Sequence, residues 1–189
     1  MDSFESLVAG LLEREGYWVR TGFKVELTKE EKRKIGRPSS PRWELDLIAY
    51  KGEANTLLVI ECKSYLDSYG VRISGFDGSH PDQENYYKLF NDDILRKVVL
   101  QRLEYQLVNA GACPPKLKVR LCLAAGKIAS DQDREALKIH FKEHDWILFD
   151  ERWLFEKLTG ISDSSYEDDV ATLVAKLLIR QQSRKKNHD

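Results

Sequence analysis

Two strand-like runs, WELDLIAY at 43–50 and TLLVIECKSY at 56–65, constrain this chain more than any other feature, because only a five-residue polar tract, Lys51-Gly52-Glu53-Ala54-Asn55, separates them. That length and composition predict an antiparallel hairpin. Side chains alternate along a strand, so Glu61 and Lys63 share one face while Ile60 and Cys62 share the other. If Tyr50 pairs near Leu57, Asp46 comes opposite Glu61 and Glu44 opposite Lys63, with cross-strand neighbours about 5 Å apart. The runs are otherwise apolar on both faces (Leu47, Ile48, Leu57, Val59, Ile60), which places these charges in a central sheet rather than on a solvated edge. An ordinary hairpin with a weak cross-strand ion pair is the plainer reading of the same residues.

The remaining segments predict an α/β protein. Phe4, Leu7, Val8, Leu11 and Leu12 form the stripe of an amphipathic helix capped near Asp2 or Ser3 and ended by Gly16. Residues 17–27 are strand-like, broken or bulged at Gly22, and the charged segment 28–42 has the composition of a loop or flap. A long loop is expected at 66–85, a helix at 91–109 and a strand at 117–125. A helix at 131–144, a strand at 146–149 and helices at 152–158 and 166–182 complete the order, with a basic tail at 184–186. This order implies a central mixed sheet flanked by helices. At 189 residues one domain is expected: 1–160 as its body, with a core at about 1–125, and 161–189 as a C-terminal helix and tail of the same domain.

Lys plus Arg (30) and Asp plus Glu (31) nearly cancel, so a polyanionic partner must be met by a local patch. Lys29, Lys32, Arg33, Lys34, Arg37 and Arg42 supply one just before the Asp46 strand, interrupted only by Glu30 and Glu31. A flap of this charge suits phosphate contacts; a solvated loop is the bland alternative. Three scattered cysteines offer neither a disulfide framework nor a CxxC metal pair, and no apolar run reaches the length of a membrane helix. A cytoplasmic protein without a membrane partner is expected.

Asp46 and Glu61 beside Lys63 suit a hard divalent cation, which takes oxygen ligands and keeps waters for a phosphate substrate. Such a cation lowers the pKa of a bound water, and an ammonium stabilises charge at phosphorus. The arrangement therefore points to phosphodiester hydrolysis. ELD followed after a short hairpin by IECK resembles the PD-(D/E)XK, or restriction-endonuclease-like, superfamily, over about residues 1–125, with Leu45 where the motif's name has proline. The resemblance implies a restriction-endonuclease-like fold and a Mg²⁺-dependent DNA endonuclease, with Mn²⁺ as a substitute metal. It further implies that Asp46 and Glu61 bind the metal, that the Cys62 carbonyl adds a ligand, and that Lys63 serves catalysis. Glu5 matches the first-helix Glu of many members, and is equally a first-turn acid favouring the helix dipole. Gln101 and Tyr105 resemble the QxxxY signature of RecB-like members, and are equally a surface Gln beside a packing Tyr. Cutting both strands needs two sites or two events, which makes a homodimer an expectation.

Two competing readings remain. His140-Phe141-Lys142-Glu143-His144 fits HxxEH, a zinc metallopeptidase pattern, although His144 falls at the end of its helix, where a surface role suits it better. A nuclease-like fold kept only for binding DNA is the non-enzymatic alternative.

Overall fold

In the computed structural model, which describes residues 2–39, 42–162 and 172–177, five strands form one sheet in the order β1-β2-β3-β4-β5. The strands are β1 (Trp18–Val25), β2 (Trp43–Lys51), β3 (Thr56–Lys63), β4 (Lys118–Ala125) and β5 (Ile147–Phe149). β1, β2 and β3 run antiparallel, and β3, β4 and β5 run parallel, so the sheet is mixed. The helices are α1 (Ser3–Arg14), α2 (Lys29–Lys34), α3 (Pro81–Glu84), α4 (Lys88–Asn91), α5 (Asp93–Asn109), α6 (Asp131–Glu143) and α7 (Glu151–Ser162). No helix among the described residues is long and apolar enough to cross a membrane.

Helices cover both faces of the sheet. α5 contributes Leu95, Val99, Leu103 and Leu107, and α6 contributes Leu137 and Phe141, to a cluster that includes Leu57, Val59, Leu121 and Leu123. α1 (Val8, Leu11, Leu12) and α7 (Leu154, Ile161) pack on the opposite face with Leu58, Ile60, Cys122 and Ala124. Alternation along β3 and β4 thus feeds two cores, as expected of strands buried on both sides. α1 is fixed at its start by a reciprocal cap, in which the Asp2 carboxylate accepts the Glu5 N–H and the Glu5 carboxylate accepts the Asp2 N–H.

β1 and β2 depart from simple alternation in step. Leu45 and Ile48 belong to the first core while Leu47 and Ala49 belong to the second, although Leu45 and Leu47 are two residues apart and a regular strand would keep them on one face. β1 does the same, with Phe23 in the first core and Val19 in the second. The register stays in phase across the change (Thr21↔Leu47, Phe23↔Leu45), so no residue is inserted. Both strands turn over at Gly22 and Asp46, and Gly22 takes φ +57°, a left-handed conformation that costs glycine little. The bulge expected at Gly22 is therefore a turnover shared by two strands.

Two expected loops are more structured than their composition suggests. Within 28–42, Thr28 caps α2 through the N–H of Glu31, whose carboxylate returns to the Thr28 N–H, and Glu31 also pairs with Arg102 of α5 at 2.9 Å. The segment 66–85 bridges to the sheet side of the molecule through Val71↔Ile128 and buries Val71 and Phe76. α5 begins at Asp93, capped by Asp92, two residues later than expected, because Lys88–Asn91 forms a turn of its own. α7 extends over Glu151–Ser162, beyond both ends of the expected 152–158 helix. Of the helix expected at 166–182, residues 172–177 are helical; the rest, with the basic tail at 184–186, lies outside the described residues.

Candidate active site

The ends of four strands meet on one side of the sheet: the end of β1, the start of β2, and the ends of β3 and β4. In open sheets with parallel strands, the carboxyl ends are where ligands commonly bind. Tyr50 pairs with Leu57 as the hairpin composition predicts, but the β2–β3 ladder stops at Leu47↔Ile60 while β3 continues along β4 to Lys63↔Ala125. Asp46 and Glu61 are the residues immediately beyond that last rung. The side chain of Asp46 spans the opening, where its Oδ2 accepts the Cys62 N–H at 2.8 Å.

Glu61 and Lys63 share a face, and Lys63 Nζ donates to Glu61 Oε1 at 2.6 Å. The expected cross-strand partnership of Glu44 with Lys63 is not formed. Glu44 stands opposite Lys24 of β1, because β2 has parted from β3 by that point. Lys63 turns instead to the acid two residues before it, with both side chains about three-quarters buried (22% and 24% exposed).

Burial raises the pKa of Glu61; Lys63 opposes the rise, and the nearby charges of Asp46 and Glu5 add to it. Burial lowers that of Lys63, yet the charge and hydrogen bond of Glu61, with Asp46 behind them, carry it above the ordinary lysine value. Glu5 is itself raised, first by burial and also by the Asp46 charge, against the lowering effect of its bond to the Asp2 N–H. The two shifts on the Glu61–Lys63 pair therefore point the same way for different reasons: burial leads the rise of Glu61, and the charges of Glu61 and Asp46 carry that of Lys63.

Glu5 thus serves its helix cap and also contributes to the field at the strand ends. Gly126 explains how α1 comes this close. Its N–H donates to the Lys63 carbonyl at 2.9 Å, and a Cβ there would lie 2.4 Å from the Ser64 carbonyl oxygen and 3.2 Å from the Phe4 ring. Only a bare backbone permits the first turn of α1 and the end of β3 to meet. Cys62 is buried, and burial followed by the charge of Asp46 pushes its thiol pKa far up, so its side chain is an inert thiol.

Other sequence candidates fall elsewhere. Gln101 and Tyr105 are exposed on α5, on the side away from Val99, Leu103 and Leu107, and border an outer cleft with Pro115. The helical repeat puts them nearly opposite the core stripe, so they do not join Asp46, Glu61 and Lys63. In the basic segment, Lys32, Arg33 and Lys34 form the last turn of α2, Arg37 lies over the Trp43 ring at 5.0 Å, and Arg42 pairs with Glu26 at 3.6 Å. This segment leads directly into Trp43, at the same end of the sheet as Lys63.

The His140 and His144 rings lie tilted against each other, with centroids 4.3 Å apart, and His144 stacks on Trp146. His144 Nδ1 lies 2.8 Å from the His140 carbonyl oxygen at the helix end. Among the described residues no group of three or more His, Cys, Asp or Glu side chains is arranged to hold a metal ion, either here or at Asp46 and Glu61.

Sequence reasoning passed over Tyr65 and Tyr87, which adjoin the Glu61–Lys63 pair. Tyr65 takes φ +46° just after β3, two residues beyond Lys63. Burial first, with the hydrogen bond to Tyr65 and the charge of Glu61 behind it, pushes the Tyr87 phenol far above its ordinary pKa. No short motif marks these tyrosines; their separation in sequence hides the association. Comparison of the chain with family models, curated proteins and solved structures gives no match.

Proposed function

We propose that this protein is a metal-dependent nuclease of restriction-endonuclease-like architecture, hydrolysing phosphodiester bonds in DNA. The observation that carries the reading is the meeting of Asp46, Glu61 and Lys63 where β2 leaves β3, with one carboxylate on the Cys62 N–H and the other on the Lys63 ammonium.

Mg²⁺, with Mn²⁺ as substitute, fits this donor set, because every candidate ligand is an oxygen and the carboxylates exceed the ammonium in charge. Asp46 and Glu61 would hold it, the Cys62 carbonyl and Glu5 being further candidates. When bound, the ion would supply charge neutralisation at the phosphate and a more acidic bound water. The protein's own residues do the rest. Lys63, kept protonated by Glu61, holds a positive charge at the strand ends for the reacting phosphate. The basic segment running into Trp43 supplies phosphate contacts on the same side of the sheet.

A binding module without catalysis is the second reading. It is favoured by the absence of a preset three-donor group among the described residues. A cleavage assay on linear, nicked, branched and single-stranded DNA, with RNA alongside, separates the two. The nuclease reading expects cutting in Mg²⁺ or Mn²⁺ and none in EDTA. DNA binding without cutting of any substrate in either metal would leave the binding module.

A further inference from the structure

Beside the Glu61–Lys63 pair lies a cleft of about 410 Å³ walled by Tyr65, Tyr69, Tyr86 and Tyr87, with Arg72 and Gln83 on its border. Four aromatic rings line this one opening, and two of them are left open to solvent: Tyr69 is 83% and Tyr86 65% exposed. Arg72 brings a positive charge to the lining, and its guanidinium lies 5.7 Å from the centre of the Tyr69 ring. Gln83 accepts the Ser74 hydroxyl through Oε1, which orients its amide at the rim.

The walls are held from behind. Val71 donates its N–H to the Lys127 carbonyl and accepts the Ala129 N–H, both at 2.9 Å. Gly70, at φ +87°, lies so close to this stretch that a Cβ would be 2.9 Å from the Ala129 nitrogen. Gly75 is pressed against the Tyr87 ring in the same way, with 2.7 Å to a Cβ. These contacts fix the backbone behind the cleft and the Tyr87 ring before any ligand arrives, which lowers the ordering cost of binding.

We infer that this cleft takes an unpaired base of a DNA strand, stacked on Tyr69 and Tyr86 with its phosphate near Arg72, and so selects substrates with a single-stranded segment beside the cut. It rests on the nuclease reading in so far as the bound strand is one that is cut. Its own physical basis is separate: aromatic faces stack on any base, an arginine complements the backbone, and a paired base within a duplex cannot offer its face. The path from cleft to strand ends is short, since Tyr65 follows Lys63 by two residues and Tyr87 senses the charge of Glu61.

The test is binding in EDTA, where cutting does not intervene, read by anisotropy of a fluorescein-labelled oligothymidylate and of a duplex of equal length. Tyr69→Ala/Tyr86→Ala should weaken binding of the single strand by roughly tenfold or more and leave the duplex unaffected. Tyr69→Phe/Tyr86→Phe should bind as wild type, because the ring face is kept. Both side chains are exposed, so the fold should survive truncation, and circular dichroism would check it. Unchanged single-strand binding in the double alanine variant, or an equal loss on duplex, would overturn the inference. Failure of the nuclease reading looks different: the wild type would then cut no substrate in Mg²⁺ or Mn²⁺, or Asp46→Ala would cut as well as wild type, whatever the tyrosine variants bind.

Discussion

Asp46 Oδ2 accepts the backbone N–H of Cys62 at 2.8 Å, and this bond spans the point where β2 and β3 cease to pair. The bond gives one residue two roles. It satisfies a strand-end donor that the β2 backbone no longer reaches, and it brings a carboxylate beside Glu61. Glu61 is half of a tight ion pair with Lys63, so the opening between the strands concentrates charge at one end of the sheet.

Replacing Gly126 should disturb that opening without touching any charged group. A Cβ at 2.4 Å from the Ser64 carbonyl meets backbone, which yields less readily than a flexible side chain, and the Phe4 ring closes the other side. Gly126→Ala should therefore cost about 1–3 kcal/mol, as overpacking does, measured by urea denaturation. A cost near zero would mean that the end of β3 can shift freely.

The anchor of the basic segment should make stability depend on acid. Burial alone would raise the pKa of Glu31, but the Thr28 N–H and the Arg102 guanidinium outweigh it and hold the carboxyl below the ordinary glutamate value of 4.5. A depressed folded pKa means that the contribution is fully present above the unfolded value and disappears as pH falls through the folded one. Glu31→Gln should cost about 1–2 kcal/mol near neutrality, and its deficit relative to wild type should shrink below pH about 4. A deficit independent of pH would assign Glu31 a role in packing alone.

Neutralising Lys32, Arg33 and Lys34 together should weaken DNA binding and flatten its dependence on salt, since every phosphate the protein ceases to neutralise takes about one counterion out of the slope. These cations lie in the last turn of α2, whose acid Glu31 is committed to Arg102. An unchanged salt slope would return the segment to a solvated surface.

Much of the frame is legible in the sequence because local signals and burial agree. α1 combines an apolar stripe with a capping acid, and the hairpin register follows from one pairing, Tyr50 with Leu57. The site is legible up to the last rung of the ladder and no further. WELDLIAY is apolar on both faces, so its alternation cannot reveal that β2 turns over at Asp46, and Glu44 leaves the expected partnership for that reason. α2 has a visible capping box, Thr28 with Glu31, but lacks an apolar stripe, and a charged segment without periodicity reads as loop. The tyrosine cleft depends on backbone bonds from Val71 to Lys127 and Ala129 and on the close approach of Gly70 to the same stretch, which no local pattern encodes.

Cleavage by Asp46→Ala and Lys63→Ala, measured beside wild type in Mg²⁺ and paired with metal binding by calorimetry, is the decisive experiment for a metal-dependent site at the strand ends. Asp46→Ala should lose both cleavage and metal affinity, as removal of an oxygen ligand requires. Lys63→Ala should retain metal but cut roughly 10²-fold or more slowly, as expected when a fixed charge beside the reacting phosphate is removed. Folded variants of both kinds that cut at the wild-type rate would contradict such a site, and would leave Asp46 and Lys63 as structural charges at a strand end.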